Sequence, residues 1–365
     1  MHLLNYTLHM NKLPLIPMLL AGAFLASISS VSGSTVTTTP VGYITKTVNA
    51  NADLRLGLPF KQSSSFSGAA ASVSSGTINV TGSMPDVTTA AHYAWITSGT
   101  LEGNWYVVSS SDASSVTVAE DLESAGLSAD DTLEVIPFWT LNTLFPDGNG
   151  FTASSDPFGP IAFILTSDIS GQGTNLAPAT AYFYHDGSLG PAGWYINGDL
   201  GSGTQDNTAL SPEAYITIRN GTSSAITATV AGTVPSAVVS NEVVQRAAGD
   251  QDNQIPNPYP SGVTLANSGL ADGASPALTP SPDPFSPVDL LLVFDAQPTA
   301  TNPAPDKAFF YHDGSLGPAG WYINGDLGAG TQDTYTIPAG AAIVVRKASG
   351  ADSISSWSPA LPYSL

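Results

Sequence analysis

Residues 181–206 read AYFYHDGSLGPAGWYINGDLGSGTQD, and residues 308–333 read AFFYHDGSLGPAGWYINGDLGAGTQD. The copies lie 127 residues apart and differ only at Tyr182/Phe309 and Ser202/Ala329. Two short aromatic runs flank a Gly-Pro-Ala-Gly turn, and a Gly-rich loop follows. Aromatic residues favour strands, and Gly and Pro supply turn dihedrals. The stretch is therefore expected to be a β-hairpin. In each copy DPF-x-P opens the surrounding unit, at 156–160 and 283–287. The strand expected at 215–219 aligns with 342–346, so Arg219 meets Arg346.

Outward from the hairpin, the chain of 365 residues has 35 Gly, 28 Pro, 10% charged residues and no cysteine. No long segment repeats apolar residues at helical spacing, which predicts an all-β protein. The expected architecture is an antiparallel β-sandwich or small barrel-like domains, with a C-terminal module repeated twice. Short strand-like runs at 41–48, 54–60, 77–81, 92–98, 105–109, 115–119 and 132–139 suggest an N-terminal β domain over 34–150. A helical turn is expected over 120–126. Module 1 is expected over 156–235 and module 2 over 283–362. The Pro-, Asn- and Asp-rich stretch 236–282 reads mostly as linker, although its first part, SAVVSNEVVQ, looks like a strand.

Residues 1–33 read as a secretory signal peptide. Met10-Asn11-Lys12 precedes an apolar run, with small residues at the expected cut. Export would place the protein outside the cell, at its surface or in a periplasm, with no membrane span left after cleavage. A net charge of −20 repels phosphate backbones, so nucleic acid is excluded as a partner. Without cysteine there is neither a disulfide nor a thiolate metal site.

Candidate binding residues come from the repeat: Tyr184, His185, Asp186, Trp194, Tyr195, Asn197 and Asp199, with Tyr311, His312, Asp313, Trp321, Tyr322, Asn324 and Asp326 in the second copy. One face of the hairpin is expected to be core. The other would set aromatic rings beside Asp and Asn, a composition suited to stacking on sugars and bonding their hydroxyls. The competing reading of the rings is cross-strand packing. His185 beside Asp186 does not make a catalytic pair, because adjacent residues of a strand point to opposite faces. No G-x-S-x-G or H-E-x-x-H motif occurs. No catalytic residue and no cofactor is assigned. Calcium is weighed at Asp147–Asn149 and Asp250–Asp252, but neither run has the EF-hand pattern, and both read as turns.

PVGYITKTV at 40–48, GLPF at 57–60, WITSGTLEGNWYVV at 95–108 and VIPFWTLNTLFPDGNGF at 135–151 resemble an uncharacterised secreted family. That family occurs as multiple paralogues in Verrucomicrobia-type bacteria. The resemblance spans about 36–235 and departs from the family pattern in the duplicated second module. It implies a secreted β protein and carries no activity and no functional residue. The expected function is a non-enzymatic structural or adhesive protein whose partners are an extracellular glycan or other copies of itself. The alternatives are a carbohydrate-binding protein and a secreted hydrolase.

Overall fold

The computed structural model describes residues 39–87, 90–272, 276–294 and 297–365; the leader read at 1–33 lies outside them. β1 (Val41–Val48) alternates exposed and covered residues, as a strand with one wet face does. β2 (Ala52–Leu56) is buried almost throughout. The chain then runs through β3 (Phe66–Ser74), β4 (Thr77–Val80), β5 (His92–Ile96), β6 (Trp105–Ser111), β7 (Ser115–Val118) and β8 (Thr132–Pro137). These close into a six-stranded barrel in the order β3-β4-β7-β6-β5-β8. Ile78, Ala94, Ile96, Val116, Leu133 and Val135 fill its core. The turn expected over 120–126 is present as α1 (Leu122–Ala125), capped by Asp121 and ended by left-handed Gly126.

A second turn, α2 (Leu141–Leu144), leads to β9 (Ala162–Thr166), β10 (Thr180–His185), β11 (Gly193–Ile196), β12 (Ile216–Asn220) and β13 (Ile226–Thr233). The first sheet has the order β11-β10-β9-β12-β2, and β13 pairs with β1. The chain continues with β14 (Asn241–Gln245), β15 (Gln251–Pro256), β16 (Val263–Thr264), β17 (Leu290–Phe294), β18 (Lys307–His312), β19 (Gly320–Ile323), β20 (Thr336–Ile337), β21 (Ala342–Lys347) and β22 (Ser353–Trp357). The second five-stranded sheet has the order β15-β21-β17-β18-β19, while β14 pairs with β22 and β16 with β20. The protein is all-β with antiparallel sheets, and the hairpin registers of the two sheets correspond: Phe183 faces Tyr195, and Phe310 faces Tyr322. Among the described residues, no helix is long and apolar enough to cross a membrane.

Sheet membership cuts across the segmentation expected from the sequence. The region 34–150 is not one unit. Its β1 and β2 belong with the strands of module 1, where Leu54 and Leu56 join Ile164, Ile216, Ile218 and Trp194 in one core. Leu141, Leu144 and Phe145 enter the same core, so the barrel is an excursion between β2 and β9. The segment 236–282 supplies β14, which falls in the strand expected at its start, and β15 and β16, where linker was expected. β14 and β15 stand to module 2 as β1 and β2 stand to module 1. Its polar composition misled because the polar groups are buried and bonded. Asn253 donates Nδ2 to Val244 O and Val345 O. Asn257 donates Nδ2 to Ser261 O, Ile337 O and Pro338 O. Satisfied in this way, a polar side chain can sit in a core without penalty.

The two modules interlock reciprocally. Arg219 makes a fork-shaped pair with Asp53, both N···O distances 2.8 Å. Asn302, from the β17–β18 loop of the other module, caps that pair. Its amide donates to Asp53 Oδ2 at 2.9 Å, and its Oδ1 accepts from Arg219 Nη2 at 3.1 Å. In return Arg346 pairs with Asp252 at 2.7 and 2.9 Å. Asn175, from the β9–β10 loop, caps this pair through its amide at 2.7 Å and its Oδ1 at 3.3 Å. Asn175 and Asn302 are equivalent positions of the repeat, and both adopt positive φ, 54° and 48°. Asn tolerates that left-handed conformation better than most residues. Backbone bonds follow the same exchange: Asp53 N donates to Ala300 O, and Asp252 N to Gly173 O. Tyr215 packs with Leu292, Ala342 and Val344 beneath these contacts, and the Arg55 guanidinium lies 4.0 Å over the Phe294 ring. The Arg–Asp–Asn exchange is two-fold, as in an isologous interface built within one chain, whereas the apolar contacts are one-sided, since Ala342, Gln254 and Ser167 stand where Tyr215, Arg55 and Phe294 would repeat.

Candidate functional site

The hairpin β10–β11 and its copy β18–β19 carry all the residues singled out above. Both faces of the hairpin are covered, contrary to the expectation that one would be free. On one face Trp194 is fully enclosed, edge-on to Tyr184 at 5.6 Å and to Phe151 at 5.1 Å. Its indole N–H donates to Phe145 O, and its amide to Asp206 Oδ1. Trp321 is equally enclosed, edge-on to Tyr311 at 5.5 Å, with its amide bonded to Asp333. Neither tryptophan offers a ring face to a sugar, so stacking on Trp194 and Trp321 is ruled out. The rings are core and cross-strand packing: α2 and the turn after it close over Trp194, and Leu265 and Leu270 share a core with Trp321. Gly148 of that turn lies so close that a Cβ would stand 2.4 Å from Tyr184 Cγ.

On the other face Tyr195 stacks on Phe183 at 6.2 Å and donates its hydroxyl to Pro191 O. Tyr322 repeats this with Phe310 and Pro318 O. His185 and His312 lie beside these tyrosines, only 1% and 2% exposed. Each Nδ1 accepts the amide proton of the glycine two residues on, Gly187 or Gly314, at 3.0 Å. Each Nε2 is buried with no hydrogen-bond partner.

The acidic and amide candidates are at the surface and do not converge with the rings. Asp186 turns away from His185 and accepts from the Ser188 amide at 2.8 Å; hydrogen bonds from Ser188 hold its carboxyl below the usual range. Asp313 repeats the arrangement with Ser315. Asp199 accepts from Ser202 through hydroxyl and amide, which also lowers its carboxyl. Asp326 has only the Ala329 amide, because the serine is alanine in the second copy. Asn197 and Asn324 are exposed; their amides close the strand ends onto Ala181 O and Ala308 O. Of the calcium-weighed runs, Asp252 is committed to Arg346, and Asp250 accepts the Ser349 amide. Among the described residues no three His, Asp or Glu side chains come together as a metal-holding group.

What the sequence reading missed stands at the hairpin tip. Leu189 and Leu316 are 66% and 68% exposed, and Phe158 and Phe285 are 85% and 84% exposed. Each Phe sits in the DPF-x-P turn, its amide held by the preceding Asp at 2.9 Å. The tip is tied to the loop carrying that turn: Ser188 donates to Ser155 O, and Ser315 to Pro282 O. Each module therefore exposes one Phe and one Leu on two turns joined by a hydrogen bond. The identity of DPF and SLGP in both copies was the available signal. No protein-family model matches the chain, and neither a curated protein nor a solved structure matches it.

Proposed function

We propose that the protein is an exported, non-enzymatic structural or adhesive β protein that makes two equivalent contacts through its hairpin tips. The observation behind this reading is the duplicated exposed pair, Phe158 with Leu189 and Phe285 with Leu316, on modules locked together by reciprocal loops. Isolated exposed apolar residues are ordinary, whereas the same large pair shown twice on tied-down turns suits a contact surface. Two weak contacts on one rigid chain gain avidity when both engage.

Other copies of the chain are the partner to test first. The −20 charge opposes self-association, so salt that screens it should promote assembly through apolar tips. Sedimentation of the mature chain is expected to show concentration-dependent assembly that strengthens with salt. Phe158→Ser with Phe285→Ser should abolish it while leaving the melting temperature unchanged. A chain that stays monomeric at every concentration and salt, or assembles equally well as the double variant, would overturn the reading.

A further inference from the structure

We propose that Lys347 and Asp289 condense into an intramolecular isopeptide bond, a covalent cross-link between the end of β21 and the residue before β17. This goes beyond the adhesive reading and does not rest on it. Lys347 Nζ lies 2.5 Å from Asp289 Oδ2, and the two side chains are 4% and 0% exposed. The residues sit side by side at the end of a strand pair, since Leu290 and Arg346 next to them are in register.

Three features equip the pair for condensation. Water is excluded, so both ions have lost their hydration and gain by becoming neutral. A desolvated lysine in its neutral form is a nucleophile. The carboxyl is gripped by backbone amides: Oδ1 accepts from Ala348 N at 2.8 Å, and Oδ2 from Thr279 N at 2.7 Å. Fixed N–H groups so placed stabilise the oxyanion of a tetrahedral intermediate. Thr279 Oγ1 accepts from Nζ at 2.9 Å, and a hydroxyl both takes and gives a proton.

The step balances without a further reactant. A proton passes from Nζ to Oδ2, which leaves a neutral amine and a neutral acid. The nitrogen lone pair attacks Cγ, and the C=O electrons move onto Oδ1, held by the Ala348 amide. The nitrogen sheds a second proton, relayed by the Thr279 hydroxyl to Oδ2. The carbonyl re-forms, the Cγ–Oδ2 bond breaks, and Oδ2 leaves as water. One N–H remains on the new amide.

The repeat supplies an internal comparison. At the equivalent positions of module 1, 127 residues earlier, stand Ala162 and Asn220, both buried. Asn220 there donates to the carbonyls of Val48, Asn49 and Ser224. The module fold therefore does not call for an ion pair at this place, and a buried pair is often no more stable than neutral packing. The barrel also buries a pair, Lys61 with Glu134, but there the carboxylate accepts from the hydroxyls of Ser64 and Ser236. With hydroxyls in place of the two amides, that pair should stay ionic.

The test is mass spectrometry of the purified full chain. Its intact mass should fall below the sequence mass by one water, and tandem spectra of a digest should show the peptides carrying Lys347 and Asp289 joined. Lys347→Asn with Asp289→Ala installs the residues that module 1 carries, so this variant should fold and keep its full sequence mass. The joined peptide of the unaltered chain decides the matter even where the variant fails to fold. The proposal is overturned if the chain keeps its full mass after prolonged incubation at neutral pH. It is also overturned if the deficit is as large in the double variant, or if the spectra place it elsewhere, Lys61 with Glu134 included.

Discussion

The crossed loops make a quantitative claim: a side chain in one module stabilises an ion pair in the other. Asn302→Gly tests it with little backbone disturbance. At φ 48° the strain that Asn carries and the chain entropy that Gly adds are of similar size, about 1 kcal/mol each, and offset. What is lost is the bond from Arg219 to Asn302 Oδ1, a hydrogen bond from a charged donor, worth about 1.5 kcal/mol. Asp53→Asn removes the charge of a carboxylate that is almost fully buried. Breaking a buried pair costs about 3–5 kcal/mol; with the Arg219 side chain 29% exposed, we expect about 2–3. Because Asn302 touches both members of the pair, the double variant should fall short of additivity by about 1 kcal/mol. Urea unfolding followed by tryptophan fluorescence measures all four corners of this cycle. The mirror cycle, Asp252→Asn with Asn175→Gly, should give a coupling of the same sign and similar size. Additivity within about 0.3 kcal/mol in both cycles would refute interlocking, because distant independent sites behave that way. So would two separate unfolding transitions, one for each module.

Three further outcomes follow from other features. Gly148→Ala places a Cβ against Tyr184 at a φ of 68°, so thermal melts should show a loss of about 2 kcal/mol or more. Trp194→Ala and Trp321→Ala should each cost about 3–5 kcal/mol by urea titration, the range for emptying an enclosed aromatic site; a loss under about 1 kcal/mol would mean that the rings are not core. Burial, with repulsion from Glu242, pushes Glu213 from 4.5 up to about 7, opposed by the Trp105 indole bond. The folded state thus holds this proton more tightly. The contribution to stability is complete below pH 4.5 and is lost as pH rises through 7. Screening at a half-buried carboxyl reduces the effect to about 1–2 kcal/mol, and Glu213→Gln should flatten that part of the profile of melting temperature against pH.

The all-β class was legible because Gly, Pro and Thr crowd a chain that has no helical periodicity, and the hairpin was legible because it occurs twice. Three things were hidden, each for a physical reason. β15 looked like linker because Asp252 and Asn253 are polar, and nothing local announces that their partners lie near residue 345. β3, reading FSGAAASVS, has small residues where alternation would normally show a face. The hairpin faces could not be sorted because both are buried, so alternation had no wet side to report. Among the candidate residues, Trp194 and Trp321 are enclosed, and the acidic ones bond to the amides of their own turns. The exposed leucines and phenylalanines drew no notice because composition alone places such residues inside.

The reciprocal loops also bear on dilution. Two separate chains meeting through the same patch would come apart whenever their concentration fell below the dissociation constant. Here residues 234–240 join the last strand of one half to the first strand of the other. A tether that short holds its partners at an effective concentration in the millimolar range, whatever the surrounding volume. The paired state thus becomes a first-order property of the chain. A single proteolytic cut within that connector would return it to mass action, and the fragments would then separate only on dilution.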